Sequence, residues 1–378
     1  MENGIVGIGV VGAGAIAVRA VFDHFALPDT RKTARIVAVC DTVAERAKAA
    51  AVKYGIPAWY TSYEELLADK NVDAVTLCSP IGFHFNQAKM ALNAGKHIHS
   101  NKTVSTTVAE CDELMALAAK KGLHIVASPG VMLYPSNQRM RRAILEGRIG
   151  EVCFALTGGT GGQTYHIKEP YRHGADMLTN SNPSWYFKMP GGGPMYDVIV
   201  YHLHHITGVL GPVKRVSAFS GRRVDGFDFR GEYIANETDD CITINMDFGN
   251  NLFGICYTHP MGDWPGRDGD KTCFVIGSKG KLNGAKLNDT SLIYDDGNLQ
   301  AGLTLEHKVM PESHVFGDIL QLIGMVNGSG PSIVDMHHAR HVIDIIESGY
   351  ESAKTGKSIE LHPTEYKPLP LEKLAAIR

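Results

Sequence analysis

Short apolar runs and helical repeats alternate over the first third of the chain. The runs IVGIGVV (5–11) and RIVAVC (35–40) are unbroken and partly β-branched, which is typical of strands buried on both faces of a parallel sheet. The segment TVAERAKAAAVKYG (42–55) has helical spacing and ends in glycine, as many helices do. This alternation continues to residue 128, and it predicts a doubly wound parallel sheet.

The pattern changes after residue 130. One helical segment, NQRMRRAILEG, is followed by strand-like runs with polar, glycine-rich connections. Successive strands with no helix between them indicate an antiparallel or mixed sheet, and helices are predicted near 194–209 and 336–356. We therefore expect an α/β protein with a nucleotide-binding type of domain at 1–130 and a sheet-rich α+β domain at 131–378.

Composition narrows the classes of function. The 378 residues are 44% hydrophobic and carry a formal net charge of −3, so we expect a folded core and no nucleic-acid partner, since nucleic-acid binders concentrate basic residues on one face. No apolar run approaches the roughly 18 residues of a membrane span, and no basic and apolar leader opens the sequence. Seven scattered cysteines without a C-x-x-C pair favour a reducing compartment, and we expect a cytoplasmic protein.

The octapeptide VVGAGAIA (10–17) has the spacing G-x-G-x-x-A between a predicted strand and a predicted helix. In that context Gly12 permits a tight turn, Gly14 lets a diphosphate approach the main chain, and Ala17 allows the helix to pack on the strand. The N-terminus of the helix then offers unpaired N–H groups to phosphate oxygens. The sequence therefore predicts a dinucleotide site. Its predicted loop contacts are Gly12, Gly14, Ala15 and Ile16.

Asp41 ends the second predicted strand, where an acidic residue binds the ribose hydroxyls of a dinucleotide. Asp41 could instead cap the next helix, but Thr42 and Glu45 fit the S/T-x-x-E capping box, which leaves Asp41 available to the ribose. A carboxylate at this position would repel the 2′-phosphate of NADP. The predicted cofactor is therefore NAD.

Three further stretches resemble the Gfo/Idh/MocA oxidoreductases. CSPIGFHFNQAKMALNAGKHIHSNKTVS (78–105) is similar to their T-P-x-x-x-H, A-G-K-H and E-K-P motifs, and GGGPMYDVIVYHLHHITGVLGPV (191–213) to their G-G-G-x-x-x-D-x-G-x-H/Y motif. LEGRIGEV (145–152) resembles the joint between their domains. The resemblance covers nearly the whole chain. It implies a Rossmann domain followed by an α/β domain with a large, open, mostly antiparallel sheet, through which we expect a homodimer or homotetramer to form.

The resemblance assigns residues one by one. Its catalytic residues are Lys102 of E-K-P, Asp197 after the triple glycine, and Tyr201 at the His/Tyr position. Residues implied at the nicotinamide and ribose end of the cofactor are Ser79, Pro80, His84, Asn101 and Lys102. The chain departs from the family where Asn101 and Thr103 replace the glutamate and proline of E-K-P, and where Ile199 replaces the glycine of D-x-G.

Oxidation of an alcohol requires removal of a hydride from carbon and a proton from oxygen, and the protein must manage the proton. Asp197 and Tyr201 are spaced i, i+4 and would share one helix face. Since the reference pKa of tyrosine is about 10, a nearby cation would be needed to favour the phenolate. We assign Tyr201 as general acid/base, Lys102 as its charge partner and substrate donor, and Asp197 as acceptor of the substrate hydroxyl. Lys102 as the proton carrier is the alternative.

The segment TYHIKEPYRHGADMLTNSNPSWYF (164–187) is polar and aromatic. It is interpreted as a loop that covers the substrate, with a surface loop of packed aromatics as the alternative. The predicted substrate contacts are Lys102, His166, Trp185, Asp197, Tyr201 and His202, and Tyr186 and Asn182 are further candidates. His202 lies one residue past Tyr201, about 100° further around the helix, and is expected to point toward the domain interior or the sheet. The histidines form no H-E-x-x-H pattern, so no metal is predicted.

Three functions remain open at this point. The first is an NAD-dependent oxidoreductase acting on a secondary hydroxyl, or the matching ketone, of a sugar, glycoside or cyclitol, a substrate class implied by the resemblance. The second is an enzyme that retains NAD through redox-neutral glycoside cleavage or sugar–sugar oxidoreduction. The third is a non-catalytic regulator that senses sugar and NAD. Retention of Lys102, Asp197 and Tyr201 together favours an enzyme.

Overall fold

A computed structural model describes residues 4–160, 163–260, 273–292 and 303–374, with side chains at all of these except 160 and 163–165. The strands, in chain order, are β1 (Val6–Val11), β2 (Ala34–Cys40), β3 (Ala58–Tyr60), β4 (Ala74–Leu77), β5 (His97–Ser100), β6 (Ile125–Ala127), β7 (Val152–Thr160), β8 (Arg215–Gly221), β9 (Gly226–Phe229), β10 (Glu232–Ala235), β11 (Cys241–Gly249), β12 (Leu252–His259), β13 (Cys273–Gly277), β14 (Gly280–Asn283), β15 (Lys286–Leu287), β16 (Thr290–Ser291) and β17 (Ile359–Glu360).

The α-helices, in chain order, are α1 (Ala15–Ala17), α2 (Asp23–Phe25), α3 (Ala44–Tyr54), α4 (Tyr63–Ala68), α5 (His84–Asn93), α6 (Val108–Lys121), α7 (Pro135–Leu145), α8 (Gln163–Lys168), α9 (Val200–Leu210), α10 (Leu305–Val309), α11 (Ser313–Val326) and α12 (Met336–Thr355). Two π-helical turns, Val18–Phe22 and Met195–Ile199, precede α2 and α9 directly. Short 3₁₀ turns occur at Thr30–Lys32, Ile81–Phe83, Val131–Leu133, Pro170–His173, Pro183–Phe187 and Leu371–Lys373.

The chain divides into two compact units, and each is built from three stretches. The first unit comprises Met1–Pro129, Ile167–Trp185 and Ala301–Met336. The second comprises Gly130–His166, Tyr186–Gln300 and His337–Arg378. The first stretch of the first unit ends at Pro129, and the division into domains at residue 130 stays a prediction.

The sheet of the first unit has six parallel strands in the order β3-β2-β1-β4-β5-β6. The order reverses between β1 and β4, which is the doubly wound arrangement predicted from the alternation of strands and helices. Helix α11 packs on β5 and β6. There the Ser128 hydroxyl contacts the Asp318 carboxylate and lies 3.0 Å from His99 Nε2, and all three side chains are buried.

The second unit contains a sheet of nine strands in the order β16-β15-β14-β13-β7-β12-β11-β8-β17. Only β7 and β12 pair in parallel among these described strands, so the predicted mostly antiparallel sheet is confirmed. Helices α9 and α12 cover one face: His202 contacts Thr157 on β7, and Ser352 accepts the Ala218 N–H on β8. The predicted helix near 194–209 is confirmed as the second π-helical turn continued by α9.

The other face of this sheet carries apolar side chains that alternate with the buried ones. Phe219 aligns with Thr243 and then Tyr257 across β8, β11 and β12. A second row crosses β13, β7 and β12. Its members are Ile276, Phe154 and Phe253. Phe219 is 79% exposed in the single chain, so this face presents an open apolar surface.

Candidate active site

Gly12 follows β1 directly, and its φ of +88° lies in the left-handed region. Its N–H donates to the carbonyl oxygen of Cys40, at the end of β2, at 2.8 Å. A Cβ atom on Gly12 would lie 2.9 Å from the carbonyl oxygen of Cys78, just past β4, so only glycine fits this turn. The loop therefore lies at the carboxyl ends of β1, β2 and β4, where open α/β sheets bind their ligands.

Asp41 is buried and bonded to the glycine loop. Its Oδ2 accepts the main-chain N–H of Ala13 at 2.9 Å, and its Oδ1 accepts the N–H of Val43 at 2.9 Å. The guanidinium of Arg46 lies 3.2 Å from Oδ1. Because a carboxylate accepts about four hydrogen bonds, these contacts leave capacity for a hydroxyl donor such as a ribose. Arg46 is a neighbour that the sequence pattern did not single out.

The predicted capping box is wrong. Helix α3 begins at Ala44, its N-cap is Val43, and no side chain caps it. Thr42 lies one residue too early, because the Asp41 carboxylate has already accepted the N–H of Val43 in a local turn. Asp41 is therefore not freed by a rival cap. It stabilises both the glycine loop and the start of α3.

The loop fits a dinucleotide on structural grounds. Gly14 is the N-cap of α1, which starts at Ala15, and no side chain occupies the cap. Ile16 follows in the same helix and is half-buried. The first N–H groups of a helix that starts on a glycine are available to phosphate oxygens. A bound dinucleotide would be held by this loop and by Asp41.

His84 is fully buried and bridges two loops. Its Nδ1 lies 2.8 Å from the carbonyl oxygen of Thr103, and its Nε2 lies 2.8 Å from that of Ser79. Burial lowers the pKa of His84, and the hydrogen bonds to the carbonyls oppose this effect. His84 therefore ties the loop after β4 to the loop that carries Lys102, and its contribution to the site is to position both.

The loop after β5 is fixed by an amide side chain. Asn101 is buried, and its Oδ1 accepts the main-chain N–H of Lys102 at 2.8 Å. The Asn101 N–H donates to the carbonyl of Leu77 at 3.1 Å. Lys102 and Pro80 are both half-buried. The asparagine that replaces the family's glutamate thus holds the main chain at the lysine.

Asp197 lies in the π-helical turn Met195–Ile199 and is buried. Its N–H donates to the carbonyl of Gly193, whose φ of +82° lies in the left-handed region. Its Oδ2 lies 2.9 Å from Nε2 of His166, which is buried as well. The His166 ring packs against Tyr186 at a centroid distance of 4.2 Å. The structure thus brings two predicted site residues together, and π-helical turns recur at functional sites.

Tyr201 and His202 occupy neighbouring positions of α9 with different surroundings. Tyr201 is half-buried, whereas His202 is buried and its Nδ1 lies 3.1 Å from Oγ1 of Thr157 on β7. The prediction that His202 points toward the sheet is confirmed. Lys102 belongs to the first unit, and Asp197 and Tyr201 belong to the second.

The predicted substrate loop is split between the units after His166. Trp185 is half-buried, and Asn182 is exposed. Tyr186 is fully buried beneath His166 and Phe187, so its ring packs inside the second unit. Thr164 and Tyr165 lie outside the described side chains.

Within residues 4–160, 163–260, 273–292 and 303–374, no group of three or more His, Cys, Asp or Glu side chains is arranged to hold a metal ion. No helix in these ranges has the length and apolar character needed to cross a membrane.

The six-stranded sheet with a glycine turn at its switch point defines a dinucleotide-binding protein. The family model for the NAD-binding Rossmann fold of the Gfo/Idh/MocA oxidoreductases matches residues 6–128. The model for the Gfo/Idh/MocA C-terminal domain matches residues 137–283. The chain belongs to the Gfo/Idh/MocA oxidoreductase family.

Individual relatives extend this comparison. The chain is 25% identical to D-glucoside 3-dehydrogenase of Escherichia coli, over 94% of this chain and 97% of that protein. It is 34% identical to inositol 2-dehydrogenase of Salmonella typhimurium over 154 residues, which cover 40% of this chain and 43% of that protein. Both relatives are named as dehydrogenases of a sugar derivative or a cyclitol.

Solved structures show the same fold. An oxidoreductase from Thermotoga maritima superimposes with a TM-score of 0.73 at 21% identity, covering 94% of this chain and 98% of that chain. The WlbA dehydrogenase from Bordetella pertussis, solved with NADH and UDP-GlcNAcA, gives a TM-score of 0.70 at 18% identity, covering 95% and 99%.

Proposed function

We propose that the protein transfers a hydride between NAD and a secondary hydroxyl group, or the matching ketone, of a sugar, a glycoside or a cyclitol. The observation that carries the proposal is the hydrogen bond from the Ala13 N–H to the Asp41 carboxylate. It places a carboxylate suited to ribose hydroxyls beside a glycine loop suited to a diphosphate, at the carboxyl ends of the parallel strands. The substrate class is supported by the D-glucoside and inositol dehydrogenases among the relatives.

NAD, when bound, supplies the hydride acceptor. The chain's own residues must orient the hydroxyl and take its proton. In this proposal Asp197 accepts the hydrogen bond of the substrate hydroxyl, Tyr201 receives the proton, and Lys102 supplies the cation that favours the phenolate. Lys102 as the proton carrier is the alternative.

His166 supports Asp197 in this scheme. A ring N–H that donates to Oδ2 at 2.9 Å fixes the carboxylate before the substrate arrives. Fixed orientation is valuable because a displacement of about 1 Å in a catalytic group can cost a large factor in rate. We assign His166 as a positioning residue, with Trp185 and His202 kept as proposed neighbours of the substrate.

A homodimer or homotetramer is part of the proposal. The apolar face of the nine-stranded sheet, with Phe219 and Phe253 exposed, would be covered by the same face of a second copy. We also infer a cytoplasmic location, because the seven cysteines are present as thiols and unoxidised thiols suit a reducing compartment.

A second candidate is favoured by one observation. The segment Ile167–Trp185 belongs to the unit that carries the glycine loop, and a covered loop would slow exchange of the cofactor. Such a protein would use a retained NAD in redox-neutral glycoside cleavage or sugar–sugar oxidoreduction.

One experiment separates the candidates. The purified protein is denatured and the supernatant assayed for released dinucleotide, and the native protein is tested for NADH formation with a panel of glucosides, free sugars and inositols. NADH formation with added NAD supports the dehydrogenase. Stoichiometric released dinucleotide without net NADH formation supports the second candidate. Binding of NAD and sugar without any turnover would overturn both and leave a sensor.

A further inference from the structure

Ser181 lies against the glycine loop. A Cβ atom placed on Gly14 would be 3.3 Å from Oγ of Ser181. Both residues belong to the first unit, and Ser181 is half-buried. The hydroxyl is thus beside the position where the absence of a side chain lets a diphosphate approach the main chain.

Two arginines outside the segment that carries Ser181 hold it, and a third, inside the segment, braces it. Arg19, in the π-helical turn after α1, lies 3.3 Å from Glu169 and also donates to Tyr171. Arg172 is buried, pairs with Glu169, and donates to the carbonyl oxygen of Ser181 at 3.3 Å. The Arg19 contacts hold the segment against the helical turn that follows the glycine loop, and the Arg172 contacts join two parts of the segment itself.

The segment is also anchored on the far side of the loop. Nε of Arg46, on α3, donates to the carbonyl oxygen of Met177 at 3.2 Å. The same guanidinium reaches Asp41 through its NH1 atom. The segment Ile167–Trp185 therefore passes over the glycine loop. It contacts Arg19, in the π-helical turn after α1, on one side and Arg46, on α3, on the other. We call this segment the strap.

We propose that Ser181 donates a hydrogen bond to the diphosphate of the dinucleotide, and that the strap must open before the coenzyme can leave. The proposal rests on the dinucleotide of the proposed function. A hydroxyl is a suitable donor here because it can turn toward a phosphate oxygen, whereas the loop itself offers main-chain N–H groups. The arginines act as positioning residues, since each holds a strap carbonyl or side chain.

The test measures release of NADH by stopped-flow fluorescence, with excess NAD to trap the empty protein. Ser181→Ala should raise the dissociation rate and the dissociation constant of NADH about tenfold, the loss expected for one hydrogen bond to a charged group. Ser181→Leu, which projects a bulky side chain at Gly14, should weaken NADH binding more than Ser181→Ala. Ser184→Ala, in the same strap, is the matched control and should stay within about twofold of the wild type.

Each outcome has one meaning. If Ser181→Ala and Ser181→Leu release NADH at the rate of Ser184→Ala while the circular dichroism spectra agree, the assignment of Ser181 is wrong, and the proposed function is unaffected. If the wild type binds no NADH, the proposed function and this inference both fall. A Ser181→Ala protein with faster release and a wild-type thermal midpoint supports a hydrogen bond from Ser181 that must break before the coenzyme leaves.

Discussion

The imidazole Nε2 of His166 lies 2.9 Å from Oδ2 of Asp197, and both side chains are buried. Because a carboxylate only accepts hydrogen bonds, this nitrogen carries the proton. The bond joins residues 31 positions apart in the chain. It fixes the carboxylate that we propose as acceptor of the substrate hydroxyl.

Asp197→Asn should lower kcat by about 10² to 10⁴, because an amide cannot take the place of a charged acceptor for the substrate hydroxyl. His166→Gln should lower kcat about tenfold, because the Asp197 carboxylate is still present but is no longer held in place by the imidazole. Steady-state kinetics against the best substrate of the panel measure both. Asp247→Asn, on the sheet at the Arg215 ion pair, is the control. Equal effects of all three substitutions would contradict the assignment.

Tyr201→Phe should reduce turnover by about 10² to 10⁴ with cofactor affinity nearly unchanged, because it keeps the ring and removes the proton donor. His202→Gln should cost much less, since the His202 ring is bonded to Thr157 on the sheet. The reverse ranking would show that the proton is carried by the histidine and that Tyr201 packs.

NAD should bind more tightly than NADP, because the Asp41 carboxylate repels a 2′-phosphate. Asp41→Asn keeps an acceptor for the Ala13 N–H but removes the negative charge. The Arg46 guanidinium, 3.2 Å from Oδ1 of Asp41, then loses its anionic partner. In the variant, the ratio of the NADPH to the NADH dissociation constant should therefore fall by an order of magnitude or more. Fluorescence titration with NADH and NADPH tests this. Equal affinity of the wild type for both coenzymes would refute it.

Stability should fall as the pH is lowered below neutral. Burial lowers the pKa of His99 to about 3 and those of His204 and His341 to about 4, and it lowers that of His338 well below its usual value. In the unfolded chain these groups take up protons near pH 6.5. The unfolded state therefore binds more protons than the folded state below that pH, so stability decreases with acid until the folded pKa is reached.

For each of these histidines, the free energy of unfolding should fall by about 1.4 kcal/mol when the pH is lowered from 7.5 to 5.5. Urea denaturation at the two pH values measures the sum, in a window where most carboxyl groups stay ionised. His341→Gln should reduce the change in unfolding free energy between the two pH values by the contribution of one histidine. A denaturation midpoint that does not move between the two pH values would contradict the folded-state burial of these rings.

The protein should form a dimer or tetramer in solution through the apolar face of the nine-stranded sheet. Phe219→Glu places a charge on a side chain that is 79% exposed in the single chain, and it should shift the mass toward the 41.0 kDa monomer. Val52→Glu, at a residue 76% exposed on α3 of the other unit, is the matched control. Light scattering that finds a monomer for the wild type would refute this surface.

The parts of the structure that local pattern controls were predictable. Gly12 needs a left-handed φ beside the Cys78 carbonyl, and unbroken β-branched runs form a parallel sheet because both faces are covered. The capping box failed because a competing acceptor, Asp41, lies one residue before Thr42. Local spacing cannot report such competition.

The contacts that cross long stretches of chain were not predictable. His166 reaches Asp197 only because the chain returns after α8, and Ser181 reaches Gly14 across more than 160 positions. The pattern of hydrophobic and polar residues does not predict where a loop will lie after the sheets have formed. Such pairs depend on tertiary packing, which a single sequence does not contain.

The division of the first unit into three stretches has a consequence for how the protein is made. Asp318, on α11, contacts Ser128 beneath the end of β6, so the carboxylate that completes this layer is synthesised late. The parallel sheet emerges from the ribosome early, with β5 and β6 still lacking the helix that covers them. Exposed sheet of this kind invites association with other nascent chains, and a fragment that stops at residue 130 would keep that exposure permanently. The cover of β5 and β6 is therefore completed only when α11, whose Asp318 lies 190 positions after Ser128, has been synthesised.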